Sequence, residues 1–460
     1  MYTGARKCLN TAKIVLREKM NQNLTRGPMM KSMIIFAIPF IAGNMLQQCY
    51  NIADTWIVGR FLGSSPLAAV GSSFTLMTFI TSILIGLCIG SGAVFSIRFG
   101  QRDAQKLGES VCASFVLIAV LTAVINIAAY CCLGSIRSLL NVPADVWEYM
   151  REYLMIILGG IAASFLYNYF AAFLRAVGNS VIPLVFLGMS SILNIVMDLF
   201  FVIVLERGVA GAAEATVVAQ YVSGIGITVY ALMKCPQLKA AVRIRRITMG
   251  SLREIAGFSL LTCIQHSVMN LGILMVQGIV NSFGTVVMAA FAAAVKIDAF
   301  AYMPVQDFGN AFSTFIAQNY GAANKERIRA GIRGAMILVT AFSVFVSAAV
   351  WIFAGPLMEI FVDPQETGII TEGVRYLRIE GAFYCGIGIL FLLYGLYRAL
   401  AKPAMSVVLT IISLGTRVVL AYLLSAVPRI GVVGIWWAVP IGWFLADVTG
   451  ILYYVRMKPR

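Results

Sequence analysis

Residues 110–134, SVCASFVLIAVLTAVINIAAYCCLG, contain no charged side chain. Wound into a helix rising about 1.5 Å per residue, such a run reaches across the roughly 30 Å hydrocarbon core of a bilayer. Runs of the same kind lie on both sides of it. Apolar stretches bounded by charge, Gly or Pro predict twelve spans, the first six at about 33–59, 67–97, 110–134, 148–173, 181–204 and 209–232. The second six fall at about 253–280, 288–318, 330–354, 376–397, 404–427 and 431–455. Of the 460 residues, 60% are hydrophobic and 12% charged, against about 45–50% and about 25% in soluble domains. The sequence therefore reads as an all-α polytopic membrane protein.

The net charge of +15 is a matter of topology, not of a nucleic-acid partner. Lys and Arg near span ends are retained in the cytoplasm, and 26 of the 35 lie on the two tails or on connections that follow even-numbered spans. Arg6, Lys7, Lys13, Arg17, Lys19, Arg26 and Lys31 crowd the N-terminal tail, and Lys234, Lys239, Arg243, Arg245, Arg246 and Arg253 the connection after span six. The opposite loops hold little beyond Arg60, Arg137, Arg207, Arg375 and Arg429. Both termini are expected in the cytoplasm of a multi-pass protein of the cell membrane. No cleavable signal peptide is read, because the first apolar run is longer than a signal core and leads into polar residues. Residues 1–19 read as a cytoplasmic extension or as an over-long start before Met20, and the sequon at Asn23 is discarded as cytoplasmic.

Enzyme chemistry is not staged here. Nine cysteines show no C-x-x-C spacing and mostly sit inside apolar runs, so they read as inert core thiols. The one histidine, His266, cannot build a His-rich metal site. H-E-x-x-H, G-x-S-x-G and P-loop patterns are absent, so neither metalloprotease, serine hydrolase nor ATP chemistry is indicated.

The chain repeats itself. A shift of 221 carries Arg60-Phe61-Leu62-Gly63 onto Asn281-Ser282-Phe283-Gly284 and Phe99-Gly100 onto Tyr320-Gly321, without a gap. A shift of 223 then carries Arg175 onto Arg398, and Gly208 and Gly211 onto Gly431 and Gly434. A six-span unit duplicated in parallel gives two halves of the same topology, the plan of transporters that rock two bundles about a central site. The expected organisation is a cytoplasmic tail over 1–32, a six-helix lobe over 33–233, a cytoplasmic linker over 234–252 and a second lobe over 253–456.

The halves differ in their acids. Asp54 stands where the repeat has Met275, and Asp198 where it has Ala421. An intramembrane acid costs about 2.5–3.5 kcal/mol on insertion scales, so it faces a cavity or a partner. By the direction of their spans, Asp54, Asp198 and Thr216 all fall in the outer half, and Asn194 lies one helical turn before Asp198 on the same face. Two carboxylates, an amide and a hydroxyl form a hard oxygen set suited to a small cation, or to a proton held between crowded carboxylates. The alternative is a hydrogen-bonded polar knot between helices. Gln47 and Tyr50, below Asp54, are candidates for a cavity wall whose rings attract organic cations. In the second half, Asp307 is a candidate substrate or ion contact in span eight, and Arg417 and Asp447 are expected to neutralise each other.

Four motifs in order resemble the multidrug and toxin extrusion (MATE) transporters over about residues 28–455. Pro39 leading to Gln47-Gln48-Cys49-Tyr50-Asn51-Ile52-Ala53-Asp54 is similar to their span one. Leu174-Arg175-Ala176-Val177-Gly178-Asn179 with Pro183 and Asn194-x-x-x-Asp198 is similar to spans four and five, Gly208-x-x-Gly211-Ala212-Ala213-x-Ala215-Thr216 to span six, and Gln318-Asn319-Tyr320-Gly321-Ala322 to the end of span eight. The resemblance implies twelve helices in two pseudo-symmetric six-helix lobes arranged as a V, exchanging amphipathic, often cationic, compounds for Na+ or H+ by alternating access. It implies a coupling-cation site at Asp54, Asn194, Asp198 and Thr216, which are metal ligands if the ion is Na+. Gln47, Tyr50 and Asn168 match polar positions of the cavity, and Pro39 matches a proline proposed as a hinge. A Glu in span seven, used by one branch of the family, has no counterpart here. The expected partners are small organic molecules and the lipid bilayer, with no cofactor and a monomeric chain. A flippase or exporter of a lipid-linked or other anionic metabolite is the alternative function.

Overall fold

The computed structural model describes residues 23–139, 144–241 and 247–457. The extension to residue 19, the end of the C-terminal tail and the linker arginines Arg243, Arg245 and Arg246 lie outside them. Among the described residues, eleven single helices are long and apolar enough to cross a membrane, and a bent pair completes twelve. Spans one to three are Met29–Phe61, Ser64–Gln101 and Ala104–Cys131. Span four is Ala144–Ile157, a 3₁₀ turn at Leu158–Gly160 and Ile161–Ala176. Span five, Val181–Leu199, widens into a π-helical turn at Phe200–Val204, and span six is Gly208–Lys234. Spans seven to nine are Met249–Asn281, Thr285–Gly321 and Lys325–Glu359. Span ten is Thr367–Gly381 plus Tyr384–Ala399, and spans eleven and twelve are Pro403–Ser425 and Val432–Arg456.

Most helices outrun their apolar cores by a few residues at each end. Hydropathy marks only the part in hydrocarbon, whereas backbone hydrogen bonding continues into the interface until a cap ends it. Asp103 caps span three by accepting from the Lys106 N–H at 2.9 Å, and this bond holds its carboxyl below the ordinary carboxylate range. Asn324 caps span nine through the Arg327 N–H at 3.1 Å. Span ten departs further from expectation: it begins at Thr367, not near 376, and bends by 51° between Gly381 and Tyr384. Glu372, Arg375, Arg378 and Glu380 make its first half too polar for hydropathy to register.

The repeat recurs in the backbone. The shift of 221 relates Gly63 (φ +95°) to Gly284 (φ +95°) and Arg102 (φ +58°) to Ala323 (φ +55°). The shift of 223 relates Gly178 (φ +90°) to Ala401 (φ +60°) and Gly208 (φ +59°) to Gly431 (φ +54°). It also carries the 3₁₀ turn of span four, Leu158–Gly160, onto the bend of span ten.

The chain divides into two compact units, Met1–Cys263 and Ile264–Arg460. Equivalent positions build a core in each. The first contains Ala69, Val70, Tyr153, Leu154, Ala212 and Ala213. The second contains Phe291, Tyr376, Leu377, Ile435 and Trp436, with Ala290 buried beside Phe291 in span eight. The aromatic trio of the second is packed tightly: Phe291 stacks on Trp436 at 5.5 Å, and Tyr376 meets Trp436 edge-on at 4.8 Å. Where the second unit is filled by Phe291 and Trp436, the first has the smaller Val70 and Ala213.

Candidate cation site and cavity wall

In the first unit, span five packs against both span one and span six. This arrangement brings the one-turn pair Asn194 and Asp198 to Asp54 on one side and to Thr216 on the other. Asp198 is fully buried at 0% exposure and Asn194 nearly so at 3%, while Asp54 and Thr216 are half-buried. Asn194 Nδ2 donates to Thr216 Oγ1 at 3.2 Å, and that hydroxyl donates to the Ala212 carbonyl at 3.1 Å. The amide is thus held by its nitrogen, which leaves its oxygen available. Asp54 and Asp198 lie within hydrogen-bonding reach of each other.

Two ionised carboxylates at that separation repel each other, so the pair calls for a proton or a cation. Asp54 Oδ1, both Asp198 oxygens and Asn194 Oδ1 are buried and receive no hydrogen bond. Buried oxygen acceptors left this way are costly unless a donor or a cation satisfies them. The set fits either a proton shared by the carboxyls or a small hard cation ligated by carboxylate, amide and hydroxyl oxygens.

Of the residues expected to line a cavity, Tyr50 lies beside the pair. Gln47 is within hydrogen-bonding reach of Tyr50, and Tyr50 is within electrostatic range of both acids. Gln47, Tyr50 and Asn168 are half-buried, and Asn168 Nδ2 donates to the Ser164 carbonyl at 2.8 Å. Pro39 lies inside span one, which runs through it as one helix in this state. The next residue, Phe40, is covered by the Arg175 guanidinium at 3.9 Å. One neighbour escaped the sequence: Tyr153 of span four is within electrostatic range of Asp54, Asp198 and Tyr50. Its repeat mate, Tyr376, stands beside the other acid cluster.

That cluster lies in the second unit. Tyr384 donates its hydroxyl to Asp298 Oδ1, and Tyr376 and Glu380 are within hydrogen-bonding reach of Asp298. Asp298 and Glu380 are 2% and 5% exposed. Glu380 was missed because it sits in the polar first half of span ten. The expected Arg417–Asp447 neutralisation is not formed. Arg417 instead acts electrostatically on Glu380 and Asp298, and Asp447 Oδ1 is buried without a hydrogen bond. Similar depth in two spans does not place two side chains on facing sides, and here it did not. Arg417 also occupies the repeat position of Asn194, so a fixed positive charge stands where the first unit offers an oxygen. Asp307, the candidate contact of span eight, is buried at 2% exposure.

Comparison with known proteins adds the family. The MatE family model matches twice, over residues 39–200 and 261–423. Among curated relatives, the probable multidrug resistance protein YpnP of Bacillus subtilis is 26% identical over 443 residues, covering 94% of this chain and 96% of its own. The probable multidrug resistance protein NorM of Thermotoga maritima is 27% identical over 435 residues, covering 93% and 92%. Among solved structures, an outward-facing multidrug resistance MATE transporter of the MOP superfamily superposes with a TM-score of 0.88 at 24% identity, covering 95% of this chain and 97% of its own. That likeness carries the fold: an all-helical membrane protein built as the MATE transporters are. With both halves matched by the family model, the chain belongs to the MatE family of membrane transporters and is not an enzyme.

Proposed function

We propose that this chain is a secondary antiporter that exports amphipathic, cationic drugs or toxic organic compounds in exchange for Na+ or H+. The observation that carries the reading is the buried pair Asp54 and Asp198, whose facing oxygens lack donors inside a membrane-spanning bundle. The names of its relatives, multidrug resistance and multidrug export proteins, agree with it. Asp54, Asn194, Asp198 and Thr216 hold the coupling ion, and Gln47, Tyr50 and Asn168 line the adjoining cavity. A cationic drug near the pair and a cation on the pair compete for the same negative charge, so binding of one weakens the other. One positive charge moving across 100 mV supplies about 2.3 kcal/mol, before any concentration gradient is counted. Pro39 lets span one bend between states, because a proline inside a helix removes one backbone hydrogen bond. The chain acts as a monomer in the cell membrane with both termini in the cytoplasm.

The test is efflux of a fluorescent organic cation from proteoliposomes under an imposed Na+ gradient and, separately, a pH gradient. Gradient-driven efflux in the wild type, abolished in Asp54→Asn and in Asp198→Asn, is the expected outcome and identifies the ion. If neither gradient moves the cation, antiport of drugs is wrong, and export of an anionic or lipid-linked metabolite takes its place.

A further inference from the structure

The first residues of span seven are fastened to spans two and three by contacts that the ion site does not use. At the helix start, Thr248 Oγ1 accepts the Ser251 N–H at 3.3 Å and donates to Ser251 Oγ at 2.9 Å. Ser251 Oγ in turn donates to Glu109 Oε2 of span three at 3.2 Å. Arg98, at the end of span two, forms an ion pair with Glu254, the two side chains being 17% and 35% exposed. Its other terminal nitrogen donates to Gln101 Oε1 at 3.0 Å. Two turns deeper, Ser91 and Ser259, both 0% exposed, share a hydrogen bond at 2.7 Å.

The backbones touch between these ties. A Cβ on Gly90 would come within 2.5 Å of the Phe258 carbonyl oxygen, and one on Gly86 within 2.6 Å of Cys263 Cα. Small residues at such spacing let two helices close without intervening side chains. The side-chain ties across this contact include one ion pair and two hydroxyl bonds. Span seven itself runs on unbroken from Met249 to Asn281. A helix held at one end by polar, reversible ties and otherwise continuous is built to be let go as a rigid rod.

We propose that Arg98–Glu254, Glu109–Ser251 and Ser91–Ser259 form a clasp, at the end that the basic residues mark as cytoplasmic, that is shut in this state and opens once in each transport cycle. The clasp rests on the antiport reading for its role in transport, but its opening is measurable without it.

The test is the double variant Ser91→Cys, Ser259→Cys in otherwise native protein, with both single variants and wild type as controls. Copper-phenanthroline oxidation is expected to join the two residues, a link located by peptide mass spectrometry. The linked protein should lose at least tenfold in gradient-driven efflux and recover on reduction, while the controls keep their rates. Failure to cross-link overturns the contact, and undiminished efflux by linked protein overturns the gating role. If reduced double variant and wild type are equally inactive, antiport fails and a second measurement decides the clasp. The thiol introduced by the single substitution Ser259→Cys is buried in the shut state, so its alkylation by a bulky maleimide, located by fragmentation, reports opening in detergent. Glu254→Gln added to that variant is expected to speed this alkylation several-fold. No labelling with or without that substitution, or equal rates in both, overturns the proposal.

Discussion

At the scale of single residues, the Asn194–Thr216 bond decides how the amide oxygen is presented. Thr216→Val keeps the volume but frees the Asn194 amide to turn. Losing one such hydrogen bond costs about 0.5–1.5 kcal/mol, so the half-saturating concentration of the coupling ion should rise roughly two- to tenfold. The maximal rate should change little, which a titration of efflux against ion concentration will show. Arg417 is the counterpart in the second unit. Arg417→Met leaves Asp298 and Glu380 without a compensating charge, and removing one partner of a buried charged set costs about 3–5 kcal/mol. The expected result is a clear drop in thermal stability in detergent, largely relieved in the double variant Arg417→Met, Glu380→Gln. A single variant as stable as wild type would mean that Arg417 does not balance those acids. Asp54, Asn194, Asp198 and Thr216 were all legible in the sequence, because acids in apolar runs announce themselves and a four-residue spacing fixes a shared face. Tyr153 and Glu380 were not legible. A tyrosine in a bundle rich in aromatics carries no such signal, and Glu380 stood among other charges that looked like a loop.

At the scale of the element, glycine contacts set how close the spans lie. A Cβ on Gly224 of span six would meet the Ala163 carbonyl oxygen of span four at 2.6 Å, and one on Gly395 would meet the Gly309 carbonyl oxygen at 2.5 Å. Gly224→Leu forces backbones apart, and overpacking of this kind costs about 1–3 kcal/mol or more. The yield of monodisperse protein on size exclusion should fall accordingly. Pro39 acts in the opposite sense. Replacing an interior proline by alanine restores a backbone hydrogen bond and straightens the helical preference. Pro39→Ala should therefore fold at least as well as wild type while slowing efflux, and a full efflux rate would remove its role as hinge. The existence and order of the spans were readable from hydropathy, but the break in span ten was not. Hydropathy reports how apolar a segment is, and the 51° bend arises within Gly381–Tyr384, where neither a proline nor a strongly polar run marks the place.

At the scale of the whole molecule, the prediction concerns sidedness. An even number of crossings and the placement of basic residues predict that both termini lie on the cytoplasmic face. A fluorescent protein fused after the last span should fluoresce and an alkaline phosphatase fused there should stay inactive, whereas the same phosphatase inserted between spans one and two should be active. The reverse pattern would overturn the orientation. The duplication was legible because matching glycines held one frame over long stretches. How faithfully it persists shows in geometry more than in identity: left-handed backbone recurs at Arg102 and Ala323, and at Gly178 and Ala401, where three of the four residues are not glycine. A side chain in that conformation costs about 1–2 kcal/mol that glycine avoids, against a glycine penalty of roughly 0.5–1 kcal/mol in the unfolded chain. Ala401→Gly would thus give the second half the residue that the first half already uses at the same bend. It offers a route to a hardier protein for ligand soaking and crystal growth, reached by copying one half of the molecule onto the other.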